Sequence, residues 1–251
     1  MSDLQLRARS TTEIVDAAVQ LYRREPMKYM LLTALAYAPF VVLQLMVVGG
    51  ASRVLGPAVG PTLVLTYVLT FVAFAIMSAV IARMAAAAYL GEAREIEETV
   101  REVLPAVPSV IWSTILKYFM VMIGLLLFIV GGLYVVARYF ATTQAIVLEG
   151  TGAHAAFRRS SELSKGLKRH VFNTLALVWV LYFIASVAVS MLAGLGGEIL
   201  ITIVSTLVAV VVYPIVGIAE VVLYYDARVR QEGYDIEVMT ASLEPAPAAG
   251  A

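Results

Sequence analysis

The sequence contains no cysteine, which excludes disulfides and cysteine-based zinc or iron–sulfur sites and leaves no mark of the compartment's redox state. Histidine is nearly absent too. His154 and His170 are not at the i, i+3 or i+4 spacing of a helical metal site, so both are expected to be ordinary surface residues. Charged residues make up only 14 %, against roughly a quarter in soluble domains. Eighteen Lys and Arg balance eighteen Asp and Glu, so there is no basic footprint for nucleic acid. No Gly-x-Ser-x-Gly occurs. Gly194, Gly196 and Gly197 precede Glu198 without a leading strand or a P-loop lysine, so phosphate cradling fails on context. No two carboxylates form a convincing acid/base pair. These absences predict a protein that is not an enzyme and carries no cofactor or metal.

Apolar residues are what the chain has in excess: 61 % of 251 residues are hydrophobic, and the mean hydropathy is +0.88. The solvent implied is lipid. After a polar or amphipathic stretch to about residue 28, expected to be retained rather than cleaved, six apolar runs follow. They are Met30 to Val48, Leu63 to Ala82, Val110 to Val130, Leu133 to Leu148, Val171 to Ala193 and Ile199 to Leu223. Most reach the roughly 17 to 25 residues that cross a bilayer as a helix, and none alternates as a barrel strand would. The fold class predicted is an all-α integral membrane protein of six transmembrane helices, with amphipathic cytoplasmic helices between hairpins. Its parts are a cytoplasmic amphipathic helix in 1–28, a membrane domain in 29–230 and a largely disordered cytoplasmic tail in 231–251.

Orientation follows from where Lys and Arg collect. Arg7, Arg9, Arg23, Arg24 and Lys28 precede the first run; Arg83, Arg94 and Arg101 lie between the second and third; Arg158, Arg159, Lys165, Lys168 and Arg169 between the fourth and fifth; Arg228 and Arg230 after the sixth. The opposite side has only Arg53. Both termini are therefore expected in the cytoplasm, the chain lying in a bacterial inner membrane, with Gly131-Gly132 as a tight outer turn. Each cytoplasmic segment reads as an amphipathic helix: Ser10 and Glu13 as a capping box on a helix ended by Pro26, a second from Glu92 to Leu104, and a third from Gly152 to Gly166. Such helices fit connectors, or contacts with anionic lipid headgroups or a membrane-protein partner.

Ionisable groups inside the runs are the candidate site, because charging a side chain at mid-bilayer costs at least ~2.5 to 3.5 kcal/mol. Lys117 and Glu220 fall at similar depths and are expected to be neighbours; Arg138 shares a stripe with Tyr134 and Thr142; Glu149, at the end of the fourth run, can meet Arg158 or Arg159. Pro39 and Pro214 are read as kinks, and the small-residue series Ala75-Ala79, Ser78-Ala82-Ala86 and Ser186-Ser190-Gly194 as packing faces. Two functional readings follow: an organiser of partners or lipids at the cytoplasmic face, and a transporter or channel built on Lys117, Arg138 and Glu220.

Two stretches also resemble a known pattern. Gln144 to Gly150 followed by Ala155 to Gly166, with Arg159, Ser160, Leu163 and Gly166, resembles the region after the fourth span in bacterial proteins of the glycerophosphoryl diester phosphodiesterase membrane domain family. Leu223 to Glu237, with Asp226, Arg228, Arg230 and Gly233, resembles their closing segment. The resemblance implies a helical membrane module that accompanies a phosphodiesterase in fused relatives. The metal-binding carboxylate and histidine set of that enzyme has no counterpart here, so it implies a fold and not an activity. The residues themselves predict i, i+4 pairs Asp226–Arg230 and Arg228–Glu232 on a helix that stops at Gly233.

Overall fold

A computed structural model describes residues 6–48, 56–193 and 196–236. Ten α-helices run through them: α1 Thr11–Arg24, α2 Pro26–Val48, α3 Val59–Tyr89, α4 Ile96–Val103, α5 Val107–Leu127, α6 Ile129–Arg138, α7 Thr142–Glu149, α8 Ala153–Leu163, α9 Lys168–Ala193 and α10 Gly197–Glu232. No strand occurs among the described residues. Five helical stretches, Pro26–Met46, Gly60–Tyr89, Ile96–Leu127, Lys168–Met191 and Gly197–Glu232, are long and apolar enough to cross a membrane.

Helices α2, α3, α9 and α10 form the long bundle, with α10 packed against α2, α3 and α9. At one end, the charged end, the short helices α1, α4, α7 and α8 fill the spaces between them. The opposite, far end is where α2 and α9 finish and α3 and α10 begin. The best-buried core lies towards the charged end, where Ile14, Leu21, Val80, Ile81, Ala85, Ile146, Leu163 and residues 221–224 are all almost wholly shielded. Apolar side chains nearer the far end, such as Val64, Leu65, Phe183 and Ile199, are exposed around the bundle. That is the distribution of a chain whose outer solvent there is hydrocarbon.

Helix α1 starts with the expected capping box: the Ser10 hydroxyl accepts from the Glu13 N–H, and the Glu13 carboxylate accepts from the Ser10 N–H at 2.8 Å. Ile14, Ala17, Ala18, Leu21 and Tyr22 form its buried face, so α1 is docked onto α9 and α10. Helix α1 ends just before Pro26, as expected, because the residue ahead of a proline is disfavoured in helical backbone. Glu25 makes the break, and Pro26 opens α2, where its missing N–H costs nothing. The second short helix begins at Ile96 rather than Glu92, and the third occupies only Ala153–Leu163.

The stretch read as the fourth run departs most from expectation. The chain turns at Phe128, in extended backbone, so Gly131 and Gly132 lie in the first turn of α6 rather than in the loop. There they permit close approach: a Cβ on Gly124 would lie 2.7 Å from the Gly132 nitrogen. The run is then interrupted at Tyr139–Ala141, between α6 and α7. Neither proline nor glycine marks that break. It is stabilised from α8: Ser160 Oγ accepts the Ala141 N–H at 3.0 Å and donates to the Arg138 carbonyl at 3.1 Å, and Ser164 Oγ donates to the same carbonyl at 3.2 Å. Borrowed hydroxyls thus satisfy backbone groups that a continuous helix would have paired itself. Residues 49–55 and 194–195, expected in outer loops, and 237–251 of the tail expected over 231–251 lie outside the described residues, while residues 231–236 are ordered: α10 runs on to Glu232 and a helical turn follows at 234–236.

Candidate functional site

The charged end is organised by two carboxylate hubs, a buried one on α10 and a part-buried one on α7. Asp226, 1 % exposed, accepts the Arg9 N–H at 2.6 Å, Arg230 Nε at 2.9 Å and faces His170 Nε2 at 3.0 Å. Arg230 Nη2 returns to the Arg9 carbonyl at 2.7 Å, and Arg9 Nε reaches the Tyr89 hydroxyl at 3.2 Å. One aspartate thereby ties the segment before α1 to α9, α10 and α3. The i, i+4 pair with Arg230 was legible in sequence; the parts of Arg9 and His170 were not, because they lie 217 and 56 residues away. His170 is accordingly not the plain surface residue expected.

The second hub joins Glu149 to the end of α10. Arg159 Nε donates to both oxygens of Glu149, at 2.9 and 2.8 Å, while its other nitrogens hold Glu232. The Glu149 carboxylate also accepts the Tyr224 hydroxyl at 2.6 Å. Arg228 adds the i, i+4 bond to Glu232 at 2.9 Å and stacks 3.8 Å from the centre of the Tyr234 ring. Hydrogen bonding to Glu232 raises the Arg159 guanidinium above its ordinary value, with burial acting against this and Glu149 adding to it. Of the two arginines expected near Glu149, Arg159 is the partner; Arg158 is exposed and faces Glu162. Leu163 is core, Gly166 (φ 77°) turns the chain from α8 towards α9, and Gly233 (φ 65°) ends α10, both in the left-handed region that favours glycine. A third network, Glu102 with Arg83 and Arg94 and Lys28 with Glu25 and Glu95, fastens α4 to α2 and α3.

Lys117 of α5 and Glu220 of α10 feel one another's charge, but no ion pair as close as those above joins them. Gln144 of α7 lies against Glu220, is 2 % exposed, and has a buried Oε1 without a hydrogen-bond partner. Towards the far end, Tyr37, Phe74, Trp179, Tyr182 and Tyr213 pack edge to face between the four long helices.

Arg138, the last residue of α6, is not among the groups that act on Lys117 or Glu220. Its Nε donates to Ser161 Oγ at 3.0 Å, and its guanidinium lies over Tyr134 and Tyr139, with no carboxylate among the described residues in ion-pair contact. Lys168 approaches the same Tyr134 ring, at 5.2 Å, likewise with no carboxylate partner among the described residues. No cluster of three or more His, Asp or Glu suited to a metal occurs among the described residues. No family model, curated protein or solved structure matches the chain.

Proposed function

We propose that this is a non-enzymatic membrane protein of the bacterial inner membrane that organises lipids or a membrane-protein partner at its cytoplasmic face. The observation that carries the reading is the division of the molecule. Among the described residues its charged side chains, Glu198 at the start of α10 apart, are collected at one end, where ion-pair networks join many of them, and the rest is apolar bundle. The gathering of Lys and Arg at that end, against Arg53 alone on the other side, supports placing it, with both termini, in the cytoplasm. The resemblance to the glycerophosphoryl diester phosphodiesterase membrane domain agrees with a helical module of this type. The transporter reading has Lys117, Glu220 and the buried Gln144 amide in its favour, but these lie at the charged end, and the aromatic cluster fills the bundle's middle beyond them.

Charge-free lengths support a specific topology. Tyr29–Val48, Val59–Ala82, Val171–Ala193 and Ile199–Ala219 carry no charge, and each is about 30 Å or longer. The α5–α6 hairpin is different. From Lys117 to the Phe128 turn is only about 16 Å, and from Phe128 to Arg138 about 15 Å, half a hydrocarbon core each. Glu220, near Lys117, lies about 34 Å along α10 from Gly197, which leaves Phe128 well short of the far end. The tip, Leu126 to Val130, is apolar at every position, and Phe128 is 77 % exposed. In this topology four helices cross, and α5–α6 dips in and returns from the cytoplasmic side. A sixth crossing would instead put this apolar tip in outer water.

Two experiments test these readings. In the cysteine-free background, Ala58→Cys is expected to react with an impermeant maleimide on intact cells and Phe128→Cys to stay unlabelled; labelling at Phe128 would restore six crossings. Photo-crosslinkers at Glu97 and Arg101, both strongly exposed on the charged end, are expected to give discrete lipid or protein adducts, and reconstituted vesicles no solute flux. Flux abolished by Arg138→Ala, with no adducts, would decide for the transporter.

A further inference from the structure

The α5–α6 hairpin carries a groove of about 360 Å³, floored by Gly124 and Gly131 and walled by Met120, Ile123 and Val135, with Arg138 at one end. The floor exists because these glycines have no side chain: the backbones of α5 and α6 approach so closely that a Cβ on Gly131 would sit 3.0 Å from the Gly124 carbonyl oxygen. At the Arg138 end the character changes. Arg138 and Lys168 both lie within about 6 Å of the Tyr134 ring. The Asp226 and Glu149 hubs set carboxylates against their arginines, whereas among the described residues this pair of cations meets hydroxyls and aromatic faces and no carboxylate in ion-pair contact. Ser161 uses up Nε and so fixes the guanidinium plane, and the bond from Nη1 to the Tyr134 hydroxyl, at 3.5 Å, is at the limit of a hydrogen bond.

We propose that this is a binding site for one anionic glycerophospholipid, with its phosphate on Arg138 and Lys168 and an acyl chain along the Gly124–Gly131 groove. The proposal rests on the cytoplasmic re-entry of α5–α6 argued above. At that depth Arg138 and Lys168, the latter opening α9, lie at headgroup level, where a guanidinium fork and an ammonium match a phosphodiester oxygen set. Basic pockets between membrane helices on the cytoplasmic side select anionic headgroups by the same physics. Tyr134 and Tyr139 suit the boundary, each presenting an apolar ring and a polar tip. The uncompensated double charge favours a net-anionic lipid over a zwitterionic one, whose own cation would oppose Arg138 and Lys168.

Delipidated full-length protein in neutral detergent, titrated with phosphatidylglycerol and followed by native mass spectrometry, tests the site. One tightly retained lipid is expected, with phosphatidylcholine bound at least tenfold more weakly. Arg138→Gln with Lys168→Gln should weaken phosphatidylglycerol binding tenfold or more, while Arg158→Gln, exposed on α8 and outside the groove, leaves it unchanged. Val135→Trp fills the groove and should weaken binding of the lipid but not of soluble glycerophosphoglycerol. If that soluble headgroup binds as tightly as the lipid, the site takes a free phosphodiester and the lipid assignment is overturned. Equal losses in the Arg158 and Arg138 variants would reduce the effect to general surface charge and overturn it as well. With Phe128→Cys shielded from external maleimide, unchanged binding in the double variant sinks the lipid site while the topology stands; a labelled Phe128→Cys sinks the topology on which it rests.

Discussion

Replacing Asp226 with asparagine perturbs the best-buried carboxylate at the charged end while keeping its shape. One oxygen of Asp226 serves the Arg9 N–H, and the other serves both Arg230 and His170. In Asp226→Asn the amide oxygen can keep Arg9, and His170 can accept from the new NH2, but the Arg230 Nε–H then meets a donor. The loss is one charge-assisted bond, about 1.5 to 3 kcal/mol, plus part of the penalty for leaving Arg230 uncompensated. A total of about 3 kcal/mol follows, at the lower end of the ~3 to 5 kcal/mol seen when a buried pair is broken outright. For a chain of this size, at roughly 2 to 4 °C per kcal/mol, that is about 6 to 12 °C in Tm. Thermal melting in detergent reads it directly. A cycle with Arg230→Met should show coupling of about 1.5 kcal/mol or more, because the second substitution removes the stranded cation. Because Arg230 also holds the Arg9 carbonyl and loses its carboxylate partner, Asp226→Asn should also speed tryptic cleavage after Arg9 in folded protein. A Tm within about 2 °C of wild type, with protease resistance unchanged, would refute the hub as a source of stability.

Three further outcomes are expected. Lys117→Met and Glu220→Gln, singly and together, should show coupling of about 1 kcal/mol, that of charges near one another without direct contact; additivity within ~0.3 kcal/mol would show that neither feels the other. The Glu13 carboxyl is held down to about 2 by the Ser10 N–H first and the Arg7 guanidinium second. Since its folded value is depressed, its stabilisation is present above the ordinary 4.5 and lost as pH falls from there through about 2. The Tm difference between wild type and Glu13→Gln should therefore be constant from pH 7 to about 5.5 and shrink below that; a difference unchanged at pH 3 would contradict the capping geometry. Gly124→Ala should cost about 1 to 3 kcal/mol, because its Cβ would lie 2.7 Å from the backbone nitrogen of Gly132, whereas Gly60→Ala, with nothing within 4 Å, should be neutral; equal melting temperatures for the two would mean the hairpin is not close-packed.

What the sequence determined by itself was what depends on neighbours along one helix and on solvent. Six apolar runs, the bias of Lys and Arg to one side, the Ser10–Glu13 capping box, the i, i+4 pairs at Asp226–Arg230 and Arg228–Glu232, and the stop at Gly233 are all readable within a few residues. Tertiary structure alone decided the rest. Run length did not reveal that residues 133–148 are broken at Tyr139–Ala141, because the compensating hydroxyls of Ser160 and Ser164 arrive from another helix. The turn fell at Phe128 rather than Gly131-Gly132 because the glycines are needed where α5 and α6 touch. Arg9 and His170 became partners of Asp226 only when distant segments packed together. Composition records how many charges lipid must avoid; only packing decides which of them neutralise one another and which, like Arg138 and Lys168, stand without a carboxylate.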